Sequence, residues 1–237
     1  MPTYTVNFSA FLAACFFTVA ACSPNGSTPR ADASTGSAAT AKPSAEQPAA
    51  PDPMVTAADH GRIQGDSTAK TWVIIASDFQ CPYCEQWHKE TYESFLKEYV
   101  RSGKVKVAYV NFPLNQHQNA IITAQAAMCA SAQNKFWQYH DALFNSQSVW
   151  ETMPQPRPVL DSLAKNVGVE MTSWGKCVDS GRMLPMIRAD RDRLAQAGVQ
   201  STPSFLIGDA LLSGAQPIEA MRPALDSAIK KNSGSGR

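Results

Sequence analysis

The 237-residue sequence lacks an excess of either charge, because 21 Lys and Arg residues oppose 20 Asp and Glu residues and leave a net charge of +1. A protein that holds nucleic acid by its phosphates needs a concentrated positive surface, so the composition excludes nucleic acid as a partner. Apolar runs of membrane-spanning length are missing beyond the N-terminus, which excludes a polytopic membrane protein. Six cysteines are too few for a disulfide-dense small scaffold, and a hydrophobic content of 44% is enough to build a buried core.

The one long apolar run, Phe8 to Ala21, occupies the position of the hydrophobic region of a signal peptide, although no Lys or Arg precedes Arg30. Val19-Ala20-Ala21-Cys22 resembles the lipobox of bacterial lipoproteins, which implies that residues 1–21 are removed and that Cys22 is lipidated. Leu12-Ala13-Ala14-Cys15 fits the same pattern after a shorter apolar run. An ordinary cleaved signal and an uncleaved anchor are the other interpretations of this segment.

Residues 22–59 consist mostly of Pro, Ala, Ser, Thr and Gly, and they contain six of the 16 prolines of the chain. Such a segment cannot bury enough apolar surface to offset the entropy of ordering it. The sequence therefore predicts a disordered tether that ends where the folded head begins, at about residue 60. The Ser- and Gly-rich residues 232–237 predict a flexible tail after the head.

Hydrophobic periodicity within residues 60–231 predicts an alternation of strands and helices. The predicted strands are 71–77, 105–112, 204–207 and 210–212, and the predicted helices are 84–99, 120–131, 135–144, 158–167, 182–197 and 217–230. A strand–helix–strand unit, a run of helices, a hairpin and a closing helix indicate an α/β fold with a helical insertion at about residues 115–198.

Cys81-Pro82-Tyr83-Cys84 lies at the junction of a predicted strand and a predicted helix. Two intervening residues allow the two sulfurs to approach each other across one helical turn. The first cysteine would lie at the helix N-terminus, where unpaired N–H groups and the helix dipole stabilise a thiolate and lower its pKa. Pro82 suits the first turn because its missing N–H would have had no partner there.

The same C-x-x-C spacing is also half of a zinc site, and His88, four residues after Cys84, could be a third ligand on the same helical face. The remaining cysteines form no second C-x-x-C pair. An exported location also favours disulfides over zinc thiolates. The sequence therefore predicts a redox-active pair and no metal site.

Three segments together resemble the DsbA-like branch of the thioredoxin superfamily: SDFQCPYC (77–84), KFWQYHDALF (135–144) and GVQSTPSFLIG (198–208). The resemblance extends from about residue 61 to 231. It implies a thioredoxin fold interrupted by helices and a thiol–disulfide exchange enzyme that acts on exported proteins. No cofactor beyond the cysteine pair is expected.

The resemblance also implies a role for each residue of the site. Cys81 would be the exposed nucleophile and Cys84 the resolving thiol, with which it forms the redox-active disulfide. Pro203 would be a cis-proline that faces them, and Thr202 would offer its backbone to the extended chain of a substrate. An ordinary trans peptide bond before Pro203 is the alternative.

Cys129 and Cys177 both fall in the predicted insertion, where some relatives pair two cysteines. The resemblance therefore implies a structural disulfide between them, and two buried free thiols are the alternative. Ile75 stands where related proteins often carry a buried Glu that helps to move the proton of the resolving cysteine. Asp78 is nearer to the pair, but an Asp at the end of a strand more often accepts hydrogen bonds from its own turn.

Tyr83 replaces the His of strongly oxidising DsbA proteins and carries no positive charge. Pro82-Tyr83, with Thr202 before the proline, also resembles periplasmic disulfide isomerases, which dimerise through a separate N-terminal domain. The tether occupies that part of this sequence, so a monomer is expected. We predict a lipid-anchored periplasmic oxidase that is regenerated by a membrane redox partner. Reductase or isomerase activity, and a non-catalytic chaperone or metallochaperone, are the alternatives.

Overall fold

The computed structural model describes residues 52–234, so the segments around Cys15 and Cys22, and most of the predicted tether, lie outside the described residues. Five strands form one mixed sheet in the order β1-β3-β2-β4-β5. The strands are β1 (Ile63–Gly65), β2 (Thr71–Ser77), β3 (Val105–Asn111), β4 (Ser204–Ile207) and β5 (Ala210–Ser213). Strand β3 is antiparallel to β1 and parallel to β2, while β2, β4 and β5 pair in antiparallel fashion.

Ten α-helices and one π-helical turn complete the described residues. They are α1 (Pro53–Gly61), α2 (Pro82–Glu90), α3 (Tyr92–Phe95), the π-helical turn Leu96–Val100, α4 (Ala120–Ser131), α5 (Phe136–Asn145), α6 (Gln147–Trp150), α7 (Arg157–Asn166), α8 (Met171–Asp179), α9 (Leu184–Gln196) and α10 (Ile218–Gly234). None of these helices combines the length and the apolar composition that crossing a bilayer requires.

The parallel pair of β2 and β3 is connected through α2, α3 and the π-helical turn, which is the crossover that parallel neighbours require. One core lies between the sheet and the helices of this crossover and of α10. It is built from aromatic and aliphatic side chains, among them Trp87, Phe95, Phe205 and Leu225. The active-site motif follows β2 directly, so this core fixes the strand and the helix on both sides of the motif.

Helices α4 to α9 form the predicted insertion between β3 and β4, and they enclose a second core. Its largest members are fully buried aromatic residues, including Tyr139, Trp150 and Trp174. Cys129 of α4 and Cys177 of α8 are joined by a disulfide within it, with an S–S distance of 1.97 Å. Phe79, Cys81 and Cys84 belong to the same core, so the insertion packs directly beneath the redox motif.

The prediction that the tether reaches residue 59 was wrong, because residues 53–59 belong to helix α1. Asp52 caps this helix by accepting a hydrogen bond from the Met54 N–H at 2.9 Å. Ala58 is fully buried, and its carbonyl accepts a hydrogen bond from Ser131 Oγ of α4 at 2.6 Å. The helix is therefore held by a contact more than 70 residues away, which composition cannot reveal.

Two further segments differ from the prediction by more than a shift of one or two residues at an end. The helix predicted over 84–99 is divided: α2 ends at Glu90, and a π-helical turn follows α3 and directs Leu96, Tyr99 and Val100 into the core. The predicted tail begins too early, because α10 continues to Gly234. Asn232 holds this last turn by donating to Thr71 Oγ1 at 3.0 Å. Strand β1 and helices α6 and α8 were not predicted.

Candidate active site

Cys81 occupies the N-cap position of α2, and Pro82 is the first residue of the helix. The Cys81 carbonyl accepts hydrogen bonds from the Cys84 and Glu85 N–H groups, both at 3.1 Å. Because the first N–H groups of a helix carry positive partial charge, this position favours an anionic sulfur. The local sequence therefore places Cys81 where a thiolate is stabilised.

Cys81 was expected to be exposed, but its exposed fraction is only 3%. The Thr202 carbonyl oxygen lies 3.4 Å from Cys81 Sγ and accepts a hydrogen bond from it when the thiol is protonated. On the backbone side, buried Gln147 donates from Nε2 to the Cys81 carbonyl at 3.1 Å. Pro82 and Tyr83, the latter 61% exposed, are the residues of the motif that face solvent. The Thr202 carbonyl therefore covers the Cys81 side chain, and Gln147 holds its backbone.

The two thiols differ strongly in acidity. The pKa of Cys81 is lowered to about 6, mainly because the Cys84 thiol donates a hydrogen bond to its sulfur, and the N–H groups of Cys84 and Tyr83 add to the effect. Burial works in the opposite direction. Burial and the adjacent Cys81 sulfur raise the pKa of Cys84 well above its usual range. At neutral pH the site therefore holds a thiolate at Cys81 and a protonated thiol at Cys84.

Alkylation of the reduced protein should show this difference directly. Cys81 should react with iodoacetamide at a rate that rises with pH to half its maximum near pH 6, because only the thiolate is nucleophilic. Peptide mapping of the product should find the label on Cys81 and not on Cys84. Cys84→Ala removes the donated hydrogen bond and should move the midpoint upward, whereas Cys84→Ser retains a hydroxyl donor. A midpoint near 8.5, the value of a free cysteine, would contradict the assignment.

The Thr202–Pro203 peptide bond is cis. It lies immediately before β4, and Ser204 of β4 pairs with Ala76 of β2. Because these strands are antiparallel, the residues that precede β4 lie beside the loop that follows β2. The pairing therefore brings Thr202 against Cys81, as the 3.4 Å contact shows.

The insertion supports the active-site loop through side-chain amides that the sequence did not single out. Gln147 of α6 donates to the Phe79 carbonyl at 2.7 Å as well as to Cys81. Gln80 donates from Nε2 to the Glu151 carbonyl at 2.7 Å, and its Oε1 accepts from the Asn119 N–H. These bonds span 39 to 71 residues of sequence. No motif marks such residues, and only the packing of the insertion brings them to the site.

Asp78, whose carboxylate is fully buried, pairs with the half-buried His117 beside the motif. Asp78 Oδ1 accepts a hydrogen bond from the Gln80 N–H at 2.8 Å, and Oδ2 accepts from the Leu114 N–H at 2.9 Å. His117 Nδ1 lies 2.7 Å from the same Oδ2. The local turn chemistry expected of Asp78 is present, but His117 was missed. A usable signal exists, because parallel strands end at one edge of a sheet and the loops after β2 and β3 are therefore neighbours.

His88 does not face the cysteine pair as a third zinc ligand would. Its Nε2 lies 3.1 Å from Asp141 Oδ1, and His140 Nδ1 lies 2.8 Å from the same oxygen. The His88 contact joins α2 to α5. Ile75 is 2% exposed within the sheet core, so the position of the absent Glu is apolar.

Comparison with known proteins gives concordant results. The model of a family described as thioredoxin matches residues 57–227. A Bacillus anthracis protein named "Probable disulfide bond formation protein D" is 27% identical over 172 residues, which are 70% of this chain and 77% of that protein. The oxidised BdbD structure from Bacillus subtilis matches with a TM-score of 0.65 at 20% identity and covers 72% of this chain and 94% of its own. Alpha-DsbA1 from Wolbachia pipientis matches with a TM-score of 0.64 at 18% identity and covers 72% and 92%.

Proposed function

The chain belongs to the thioredoxin family, and from that premise we propose that it is a thiol–disulfide oxidoreductase that oxidises exported proteins through Cys81 and Cys84. The predicted fold, a thioredoxin fold with a helical insertion, is confirmed. The observation that carries the proposal is the acidic Cys81 sulfur at the start of α2, backed by a buried, protonated Cys84. Proteins of similar sequence are named for disulfide bond formation, which supports the same activity.

The exchange needs only the two cysteines of the motif. A substrate thiolate attacks Cys81 Sγ of the oxidised pair, the Cys81–Cys84 bond breaks, and Cys84 leaves and takes up a proton. A second substrate thiolate then attacks the substrate sulfur of the mixed disulfide and releases Cys81 as a thiolate. Two substrate thiols become a disulfide, and their two electrons remain on the reduced cysteine pair. The backbone of Thr202, before the cis-proline Pro203, is the proposed binding site for the extended chain of the substrate.

The acidity of Cys81 supports transfer in the oxidase direction. A disulfide whose reduced form is stabilised as a thiolate is a stronger oxidant, because reduction ends in a low-energy state. A pKa of about 6 lies well below that of a free cysteine, so it favours the oxidase direction. A membrane redox partner would then reoxidise the pair.

Equilibration of the pair with glutathione redox buffers, followed by thiol trapping, tests the direction. We expect a reduction potential clearly above the value of about −270 mV that is typical of thioredoxin. The oxidised protein should also introduce disulfides into a reduced, unfolded substrate, and Cys81→Ser should not. A reduction potential near that of thioredoxin, together with reduction of insulin, would indicate that the protein is a reductase and not an oxidase. Refolding of a scrambled substrate without net oxidation would indicate an isomerase.

We propose further that the enzyme is exported and tethered as a monomer by a lipid on Cys22. The buried disulfide between Cys129 and Cys177 supports an oxidising compartment. The lipobox-like sequence before Cys22 supports the anchor. Mass spectrometry of the protein from membranes should find a mature N-terminus at a lipidated Cys22. Lipid on Cys15 would move the cleavage site, and an unmodified N-terminus would exclude the anchor.

A further inference from the structure

The cysteine motif contains no cation, since Pro82 and Tyr83 are the residues between the two sulfurs. A basic residue nevertheless lies beside the motif and comes from another loop. His117 follows β3, its side chain is only 17% exposed, and its ring contacts the fully buried carboxylate of Asp78. The proposed reaction as described above has no use for this residue.

We propose that His117, oriented by Asp78, is a positioning residue that stabilises the Cys81 thiolate by its positive charge and thereby raises the oxidising power of the pair. This inference rests on the proposed function, because it concerns the same cysteine pair. His117 would supply the positive charge near the thiolate that the residues of the motif lack.

The loop that carries His117 is fixed against the loop that carries Cys81. The Leu114 N–H donates to Asp78 Oδ2 at 2.9 Å, and the Asn119 N–H donates to Gln80 Oε1. The Cys81 N–H in turn donates to the Asp78 carbonyl at 3.1 Å. One residue, Asp78, therefore holds the backbone of Cys81 and the ring of His117 at the same time.

The surroundings of His117 favour its protonated form. The hydrogen bond to Asp78 raises the pKa of His117, burial opposes this, and the negative charge of Cys81 adds to the increase. Arg188 and Arg191 of α9 line a cavity of about 350 Å³ together with His117, and their positive charges oppose its protonation.

Asp78 determines whether the loss of His117 raises or lowers the pKa of Cys81. With His117 protonated, the carboxylate and the imidazolium nearly cancel each other in charge. Without His117, the negative charge of the Asp78 carboxylate is not neutralised by a paired cation. It then disfavours a second negative charge on the nearby Cys81 sulfur. Loss of His117 should therefore raise the pKa of Cys81 and make the disulfide a weaker oxidant.

The test compares His117→Asn with His117→Lys, and His60→Asn serves as the control because His60 is exposed on α1. Thiolate absorbance of the reduced protein gives the pKa of Cys81 without any substrate. His117→Asn should lower the acid dissociation constant of Cys81 about tenfold. The exchange equilibrium with glutathione at pH 7 should then shift about fivefold, which corresponds to about 20 mV at about 30 mV per tenfold change. His117→Lys should restore most of both values, and His60→Asn should change neither.

A reciprocal measurement needs no change at His117. Because coupling between two charges is mutual, Cys81→Ser should lower the pKa of His117 in an NMR titration of the reduced protein. Cys84→Ser should leave that pKa nearly unchanged, because Cys84 is uncharged at neutral pH.

Two results would overturn the inference: a Cys81 pKa and a reduction potential that His117→Asn does not change, or a lysine variant that behaves like the asparagine variant. Neither readout depends on turnover. A protein that oxidises no substrate but shows the expected thiol titration would refute the proposed function and leave the charge effect standing.

Discussion

Cys84→Ser should convert the enzyme into a covalent trap for its substrates. Cys81 remains able to attack a disulfide, but the variant lacks the sulfur that would release the bound partner. The serine hydroxyl can still donate to the Cys81 sulfur, so the nucleophile should keep much of the acidity that this hydrogen bond provides. Turnover should fall to the uncatalysed background, and mixed disulfides with exported proteins should accumulate. Non-reducing gels of cells that express the variant should show high-mass bands that collapse on reduction.

Cys81→Ser is the matched control, because it leaves Cys84 buried and protonated. It should lose turnover to the same extent but form no trapped species. If Cys84→Ser accumulated no mixed disulfide while the protein stayed folded, the cysteine pair would not be exchanging disulfides with proteins. A binding module such as a chaperone would then be the better description. If the Cys81→Ser variant trapped substrates through Cys84, then Cys84 would be the nucleophile and Cys81 the resolving thiol.

The predictable part of the site is the part that local sequence determines. A buried strand, a short loop and a helix that opens with Cys81-Pro82 place a sulfur at a helix N-terminus by backbone geometry alone. Sequence pattern also gave the bounds of β2 and of α4 as the structure has them. The pattern works for these elements because each is a continuous run of mostly small or apolar residues that is buried over most of its length, including ten of the twelve residues of α4.

The unpredicted part depends on contacts between distant segments. His117 and Gln147 lie in a loop and in a short helix, and neither stands in a pattern that distinguishes it from other polar residues. They reach the site only because β3 is parallel to β2 and because the insertion packs under the motif. The same cause explains α1. Its Pro- and Ala-containing sequence is typical of a tether, and only the packing of Ala58 against α4 shows that it belongs to the folded domain. Burial of the Cys81 side chain was missed because the Thr202 carbonyl that covers it is 121 residues away.

Removal of the disulfide in the insertion should produce the largest loss of stability. Cys129 and Cys177 are separated by 48 residues, and in the chain-entropy model opening a loop of that length costs about 4 kcal/mol. The double variant Cys129→Ala with Cys177→Ala avoids leaving an unpaired thiol in the core. Its free energy of unfolding should fall by about that amount, and its Tm should fall by about 8–16 °C for a chain of this size. Urea unfolding monitored by circular dichroism measures the first quantity, and calorimetry measures the second.

Oxidase activity of the folded double variant, measured at low temperature, shows whether the disulfide affects only the stability of the protein or also its chemistry. The disulfide joins α4 to α8, whereas Cys81 is held by α2, Gln147 and Thr202. The pKa of Cys81 should therefore stay near 6 in the variant. Unfolding of the wild type in a reductant, compared with unfolding of the variant, provides an internal check, since the two should then differ little. A loss of less than 1 kcal/mol would mean that the unfolded chain is already compact around these two helices, because a crosslink stabilises only by the freedom that it removes from the unfolded state.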